Sequence, residues 1–256
     1  MESKVPNPPT HIDLALEGLQ RLSHDAFEKH IGSFLLGCTA PDIRIITMRD
    51  RSDTHFVPLS VNIIGTGAQR MFQCHPELAN IDSLSDSTIA FVAGYISHLV
   101  SDETWIIRMY RPYFGQEGVF DDEIQGNLMD RALQLEMDMR AARAGRGIDD
   151  VRDYLRGASE GVDVGFIEQD TLLRWQEWLM GVPQSRFTWE RLRFMMRRQL
   201  PSALDDTAIM DRVDRFIDSL PEGLNEINAR IPKEGLELYR QESINEWVRI
   251  TKEFLS

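Results

Sequence analysis

Phe91-Val-Ala-Gly-Tyr95-Ile-Ser-His98-Leu-Val-Ser-Asp102-Glu-Thr-Trp105 is the most apolar helix-patterned stretch of the chain, and it carries a histidine and a carboxylate four residues apart. Residues at i and i+4 share one helix face at about 5 to 6 Å. The pair therefore reads either as a hydrogen-bonded couple or as two ligands of a divalent metal inside a helical core. Asp86 or Ser87 is the expected cap of this helix, which is predicted to run to about Tyr110, where Arg111-Pro112 stops it.

The rest of the chain falls into helices around this one. β-rich patches such as 43–47 and 57–64 are short and lack a partner of matching pattern, so the expected fold class is all-α. Thr10 is placed to cap a first helix over about 11–22, and a second helix is expected over 25–36, ended by Gly37. Arg49 to Asp53 reads as an exposed polar loop, with the next helix beginning near His55. Beyond an aromatic- and glycine-containing loop over 112–122, helical periodicity returns over 124–144, 166–180, 188–199 and 206–220, with two more helices near the C-terminus. There is no internal repeat and no convincing heptad seam.

Composition narrows the function. With 256 residues the chain can bury a large core, and one domain over 1–256 is expected. A net charge of −13 opposes a nucleic-acid partner, which needs a basic field. The opening residues lack an apolar leader, and no run of about 18 uncharged apolar residues appears, so the expected location is cytoplasmic, without a transmembrane segment. Cys38 and Cys74 are expected as free thiols.

All six histidines lie at or before His98. His11 sits at the first helix, Asp42 follows Gly37-Cys-Thr-Ala-Pro41, and His55 stands in Asp53-Thr-His55-Phe. With His98 and Asp102 these form a nitrogen and oxygen donor set suited to zinc or another first-row divalent ion. Each also has a plainer reading as a surface, capping or core residue.

The order of these motifs, a histidine near the N-terminus, Gly-x-x-x-Pro-Asp, Thr-His-Phe and then Gly-Tyr-x-x-His-x-x-x-Asp, resembles the zinc-dependent phospholipase C family, which shares an all-helical fold with the P1-type nucleases. The resemblance covers about residues 8–110, leaving 111–256 as a helical remainder. It implies that Asp42, His55, His98 and Asp102 bind one zinc ion, that His11 and a bridging Asp102 hold a second, and that Asp42 also serves as the base that orients the attacking water. It also implies hydrolysis of a lipid or small-molecule phosphoester. The chain departs from the family in two places. It lacks the early tryptophan that secreted members use as a ligand, and it has no later histidines for the family's remaining zinc, with Arg108 and Arg111 in that neighbourhood. Asp121, Asp122, Asp130, Glu136 and Asp138 read as solvated or ion-paired rather than as replacements.

Other signals are weaker. His24-Asp25 lacks the remaining spacing of helical phosphohydrolases, and Gly65-Thr-Gly67 and Gly145-Arg-Gly147 mark turns. Trp175, Trp178, Trp189, Phe194, Met195 and Met196 read as core or as an apolar lip, and Arg191, Arg193, Arg197 and Arg198 as a solvated face or a strip that meets an anionic headgroup. Two functions follow: a metal-dependent hydrolase acting on a phosphoester, or a non-catalytic helical domain with a structural metal site and a protein or lipid partner.

Overall fold

A computed structural model describes residues 6–115, 117–183, 186–199 and 207–256. Among them the chain is all-α, with fourteen α-helices and no strand. The helices are α1 (Pro8–Leu19), α2 (Asp25–Lys29), α3 (Ile31–Gly37), α4 (Arg44–Thr47), α5 (Arg51–His55), α6 (Thr66–Cys74), α7 (Asp86–Thr104), α8 (Glu123–Arg143), α9 (Ile148–Val151), α10 (Gln169–Gly181), α11 (Glu190–Gln199), α12 (Thr207–Asp218), α13 (Gly223–Arg230) and α14 (Lys233–Phe254). A 3-10 turn over Ala40–Ile43 leads into α4. The all-α class and the central helix are as the sequence predicts.

The axis is α7, and every residue from Ser87 to Thr104 is buried. Helices α3, α14, α1 and α2 pack on it. It can be enclosed this way because its middle, Ile89 to Ile96, is apolar all round and small where neighbours come closest, and the polar residues beyond it face protein groups. At Gly94 an added Cβ would lie 2.1 Å from the carbonyl oxygen of Phe34, and at Gly37 it would lie 2.1 Å from that of Phe91. The two glycines bring the backbones of α3 and α7 into direct contact, a distance no side chain allows. On the opposite flank, Trp247 of α14 donates from Nε1 to the Ala93 carbonyl at 2.8 Å.

α1 is fastened at its middle and at its N-terminal end. Arg240 of α14 reaches Asp13 at 2.7 Å, and Arg146 reaches the same carboxylate at 2.6 Å. At the N-terminal end, Asp138 of α8 accepts from Thr10 N–H at 3.2 Å, from Thr10 Oγ1 at 2.7 Å and from Asn7 Nδ2 at 2.7 Å. The helix starts at Pro8, earlier than predicted, and Thr10 lies in its first turn. The cap is a carboxylate brought from 128 residues away in sequence, an interaction that no local pattern reveals.

Other boundaries also shift. The segment 25–36 breaks into α2 and α3 at His30, whose backbone leaves the helical region. His24 caps α2, its Nδ1 accepting from Ala26 N–H. Residues 44–47 are helical although they were among the β-rich patches, and the loop expected over 49–53 contains the start of α5. Ser85, rather than Asp86 or Ser87, caps α7, its Oγ accepting from Thr88 N–H at 3.1 Å. Pro112 does not stop the helix near residue 110. The backbone widens into a π-helical segment over Trp105–Phe114 that runs through it, a known way to accommodate an i→i−4 bond that cannot form.

Two expectations test this frame. Replacing Gly94 with alanine forces α3 off α7 and should destabilise the fold by about 3 kcal/mol or abolish it, read as a lower urea midpoint. Burial pushes the Asp138 carboxyl up to about 6, against the lowering effect of Thr10 and Asn7. A carboxyl whose folded pKa exceeds its unfolded value binds its proton more tightly when folded, so stability falls as pH rises from about 4 through about 6. The variant Asp138→Asn should lack that component of the pH dependence, and an unchanged slope contradicts the assignment.

Candidate metal centre

Five residues separated by up to 91 positions in sequence converge beside α7: His11 from α1, Asp42 from the 3-10 turn, His55 from the end of α5, and His98 and Asp102 from α7. All are buried. The local chain explains how each is aimed. The Gly37–Gly94 contact sets the Cys38 carbonyl above α7, where it lies 3.0 Å from His98 Nδ1 and accepts its N–H. That fixes the tautomer and leaves His98 Nε2 as the free lone pair. Tyr95 donates from its hydroxyl to the Thr54 carbonyl at 2.5 Å and braces the peptide that carries His55, whose Nδ1 meets Thr54 Oγ1 at 3.0 Å. Thus the Gly-Tyr-x-x-His-x-x-x-Asp motif has a physical role at each named position: close approach, brace, nitrogen donor and oxygen donor.

His11 Nδ1 pairs with Ser101 Oγ at 2.8 Å, and its Nε2 donates to the Pro6 carbonyl at 3.2 Å and lies 3.4 Å from Asp102 Oδ1, so a cation at this nitrogen would take the place of its proton. The His11 and His98 rings stack with centroids 3.7 Å apart. His55 Nε2 lies 3.2 Å from Asp102 Oδ2 and 3.9 Å from Asp42 Oδ1, and His98 Nε2 lies 3.7 Å from Asp102 Oδ2. These are approaches without hydrogen-bond alignment: His55 Nε2, His98 Nε2 and Asp102 Oδ1 are fully buried and make no hydrogen bond. Orphaned buried acceptors cost about 1 to 3 kcal/mol each. Convergent lone pairs on nitrogen and oxygen are the donor set of a divalent cation. The ligand atoms form two overlapping groups, Asp42–His55–His98 and His11–His98–Asp102, each with its atoms within 4.8 Å of one another.

Electrostatics favours the protonation states a cation needs. Burial, then the charge of Arg51, lowers His55 to about 3, and burial holds His98 well below the ordinary imidazole range. For Asp102 burial acts upward, but the Arg51 guanidinium 2.7 Å away outweighs it and holds the carboxyl well below the usual range. Asp42 is pushed up to about 6 by burial and by the charge of Asp102.

Arg51, assigned by the sequence pattern to an exposed loop, instead lies inside this cluster. Its Nη2 donates to Asp102 Oδ2 at 2.7 Å, while its Nε and Nη1 are buried without a hydrogen bond. The readable signal was its position four residues before His55, on the same face of a short helix.

The acidic residues passed over as ligands have protein partners. Asp130 accepts from Trp105 and Gln134, Asp138 caps α1, Glu136 pairs with Arg140 and Arg143, and Asp121 and Asp122 pair with Arg230 and Arg212. Arg108 clamps Glu242 and Arg111 reaches Asn62 and the Leu59 carbonyl, so both point away from the cluster. Neither cysteine belongs to it: Cys38 is buried and Cys74 exposed. Of the glycines expected to mark a turn, Gly65 does so, at φ 89°, whereas Gly67 lies in the first turn of α6; their N–H groups donate to the Glu103 carboxylate at 2.5 Å each.

His55 is expected to stay neutral down to about pH 4 and His98 to stay neutral well below the ordinary imidazole range, visible in imidazole nitrogen chemical shifts. Because their folded pKa values lie below the unfolded value of 6.5, the unfolded chain binds more protons, and the stability they allow is lost as pH falls below about 6.5. Imidazolium signals for both residues near pH 6 in folded protein contradict this.

No curated protein and no solved structure matches the chain. Residues 10–105, which contain all five residues of the cluster and end where α7 gives way to the π-helical segment, match the family described as zinc dependent phospholipase C, and over this part the chain is similar to that family.

Proposed function

We propose that the protein is a metal-dependent hydrolase of phosphoesters, with zinc held by His11, Asp42, His55, His98 and Asp102 and with a phospholipid-type phosphodiester as substrate. The observation that carries this reading is the convergence of three buried, hydrogen-bond-free ligand atoms, on His55, His98 and Asp102, next to Asp42. Asp42 is the member of the five that also lines a cavity of about 420 Å³.

A divalent ion in this cluster supplies Lewis acidity toward a phosphoryl oxygen and lowers the pKa of water. The remaining steps belong to the chain. Asp42 faces both the cluster and the cavity, and its carboxyl, raised toward neutrality by burial and by Asp102, is suited to accept a proton from an attacking water. His98 is oriented by the Cys38 carbonyl and His55 by the Thr54 hydroxyl, so neither must reorganise during reaction. Arg51 neutralises part of the charge on Asp102 from the side away from its unpaired Oδ1. His98 belongs to both ligand groups but has one free lone pair, so a full triad forms at one seat at a time. We place the first ion at Asp42–His55–His98 with Asp102 beside it, and a second at His11 and Asp102.

The test is metal content by elemental mass spectrometry on protein purified without chelator, comparing wild type with His98→Ala, alongside hydrolysis of a phosphodiester panel. Near-stoichiometric divalent metal and turnover in the wild type, both lost in a variant that keeps its helical circular dichroism, is the expected result. Metal absent from reconstituted wild type overturns the proposal. Metal present with no turnover on any phosphoester leaves a structural ion and overturns the hydrolase assignment.

A further inference from the structure

The cavity that meets Asp42 is unlike the surface around it. On a chain of net charge −13, its walls carry five arginines, Arg44, Arg49, Arg131, Arg186 and Arg191, against two carboxylates, Asp42 and Asp50. The arginines come from three separate regions: Arg44 and Arg49 from α4 and the residues after it, Arg131 from α8, and Arg186 and Arg191 from the approach to α11 and its first turn. Most already have neighbours. Arg49 donates to the Phe166 carbonyl, Arg131 donates to Gln134 and pairs with Asp130 at 3.6 Å, Arg191 lies over the Phe187 ring with its charge felt by Asp138, and Arg44 also has a partner. Even so, their placement concentrates positive charge in one concave site, where low-dielectric walls strengthen it.

The rim has the opposite character. Ile45, Met48 and Phe194 line the same cavity and are among the few large apolar side chains that the described surface exposes, Met48 at 83 %. Met48 is held outward by a left-handed backbone, φ 58°. Trp178, stacked on the buried Trp175, continues the apolar lining. The tryptophan and methionine signals in the sequence thus divide: Trp175 and Met196 are core, whereas Trp178, Phe194 and Met195 line the cavity. A cationic interior behind an exposed apolar lip matches a ligand with an anionic head and an apolar tail. Isolated phosphate makes no use of the lip, and a zwitterionic head makes little use of the arginines.

We propose that this cavity binds amphiphiles whose phosphate-centred head carries more than one negative charge, with Arg44, Arg186 and Arg191 meeting the head and Met48 and Phe194 meeting the apolar part. This rests on the hydrolase reading only for the cavity being a substrate cleft, and the binding itself requires no turnover.

The experiment is binding of the full chain to phosphatidylcholine vesicles with and without phosphatidic acid, measured by co-sedimentation at fixed ionic strength, with inorganic phosphate as a soluble competitor. Doped vesicles should bind about tenfold tighter or more, because a charge-assisted hydrogen bond is of that order. Arg191→Gln should remove most of that gain. So should Arg186→Gln, an exposed position whose replacement does not threaten folding. The double variant Met48→Ser and Phe194→Ser should weaken binding to both vesicle types. Equal binding to the two compositions, or a gain that survives both arginine replacements, overturns the proposal. Full displacement by inorganic phosphate together with an unaffected double variant also overturns it, leaving a site for free phosphate. The two readings separate cleanly: selective binding without hydrolysis of any phosphoester sinks the hydrolase assignment alone, and hydrolysis without anionic selectivity sinks this one alone.

Discussion

The structure depends on one contact without side chains, the meeting of α3 and α7 at Gly37 and Gly94. Each glycine sits against a carbonyl of the other helix at a distance that excludes even a methyl group. This contact gives up side-chain burial at two core positions. In return it fixes the height of the Cys38 carbonyl over His98, and so which imidazole nitrogen is left without a proton. A backbone contact is stiffer than a packed side-chain pair because it has no rotamers through which to relax. A metal centre needs its donors held within narrow limits. Here that precision comes from the least adjustable part of the chain.

Around this contact the polar interior is arranged in two kinds. Some buried groups are satisfied by the protein itself: Asp138 caps α1, Asp130 accepts from Trp105 and Gln134, and Glu103 takes two loop N–H groups. Others, His55 Nε2, His98 Nε2 and Asp102 Oδ1, remain unmatched at one place. Adjacent residues of α7 show the contrast, since Asp102 and Glu103 diverge by about 100° around the helix, one toward the cluster and the other toward the N-terminus of α6. Buried polar atoms without a hydrogen bond also occur elsewhere, on Tyr239, Ser243 and Thr251 of α14 for example, and what sets the cluster apart is that its unmatched nitrogen and oxygen atoms converge on one point.

Much of this was legible in the residue pattern, for stated reasons. The apolar run around His98 announced a buried helix, and the order of short motifs indicated which distant residues to group with His98 and Asp102. Features that depend on partners remote in sequence were not legible. Thr10 looked like a cap because threonine often is one, yet the capping carboxylate comes from α8. Arg51 looked solvated because its neighbours are polar, and only folding brings it to Asp102. Pro112 is an ordinary helix stop by local rules, and its accommodation in a π-helical segment reflects packing of Trp105, Met109 and Phe114 into the core. The arginine and aromatic signals near 175–198 were visible as two alternatives each, and the cavity divides their members between core and lining.

The cluster lies entirely within residues 11–102, while Arg131, Trp178, Arg186, Arg191 and Phe194 of the cavity come from α8 onward. This separation along the chain has a consequence for how such a protein can diversify. The half that positions the donor atoms tolerates little change, because a displaced backbone at Gly94 or a lost carbonyl at Cys38 disturbs all of them together. Arg44, Ile45, Met48 and Arg49 wall the cavity from the donor segment itself, whereas the later wall residues rest on other helices, where a substitution away from Asp138, the cap of α1, alters charge or shape with little effect on the donors. Inheritance can therefore preserve the donor cluster of the first segment while selection retunes the later part of the cavity wall.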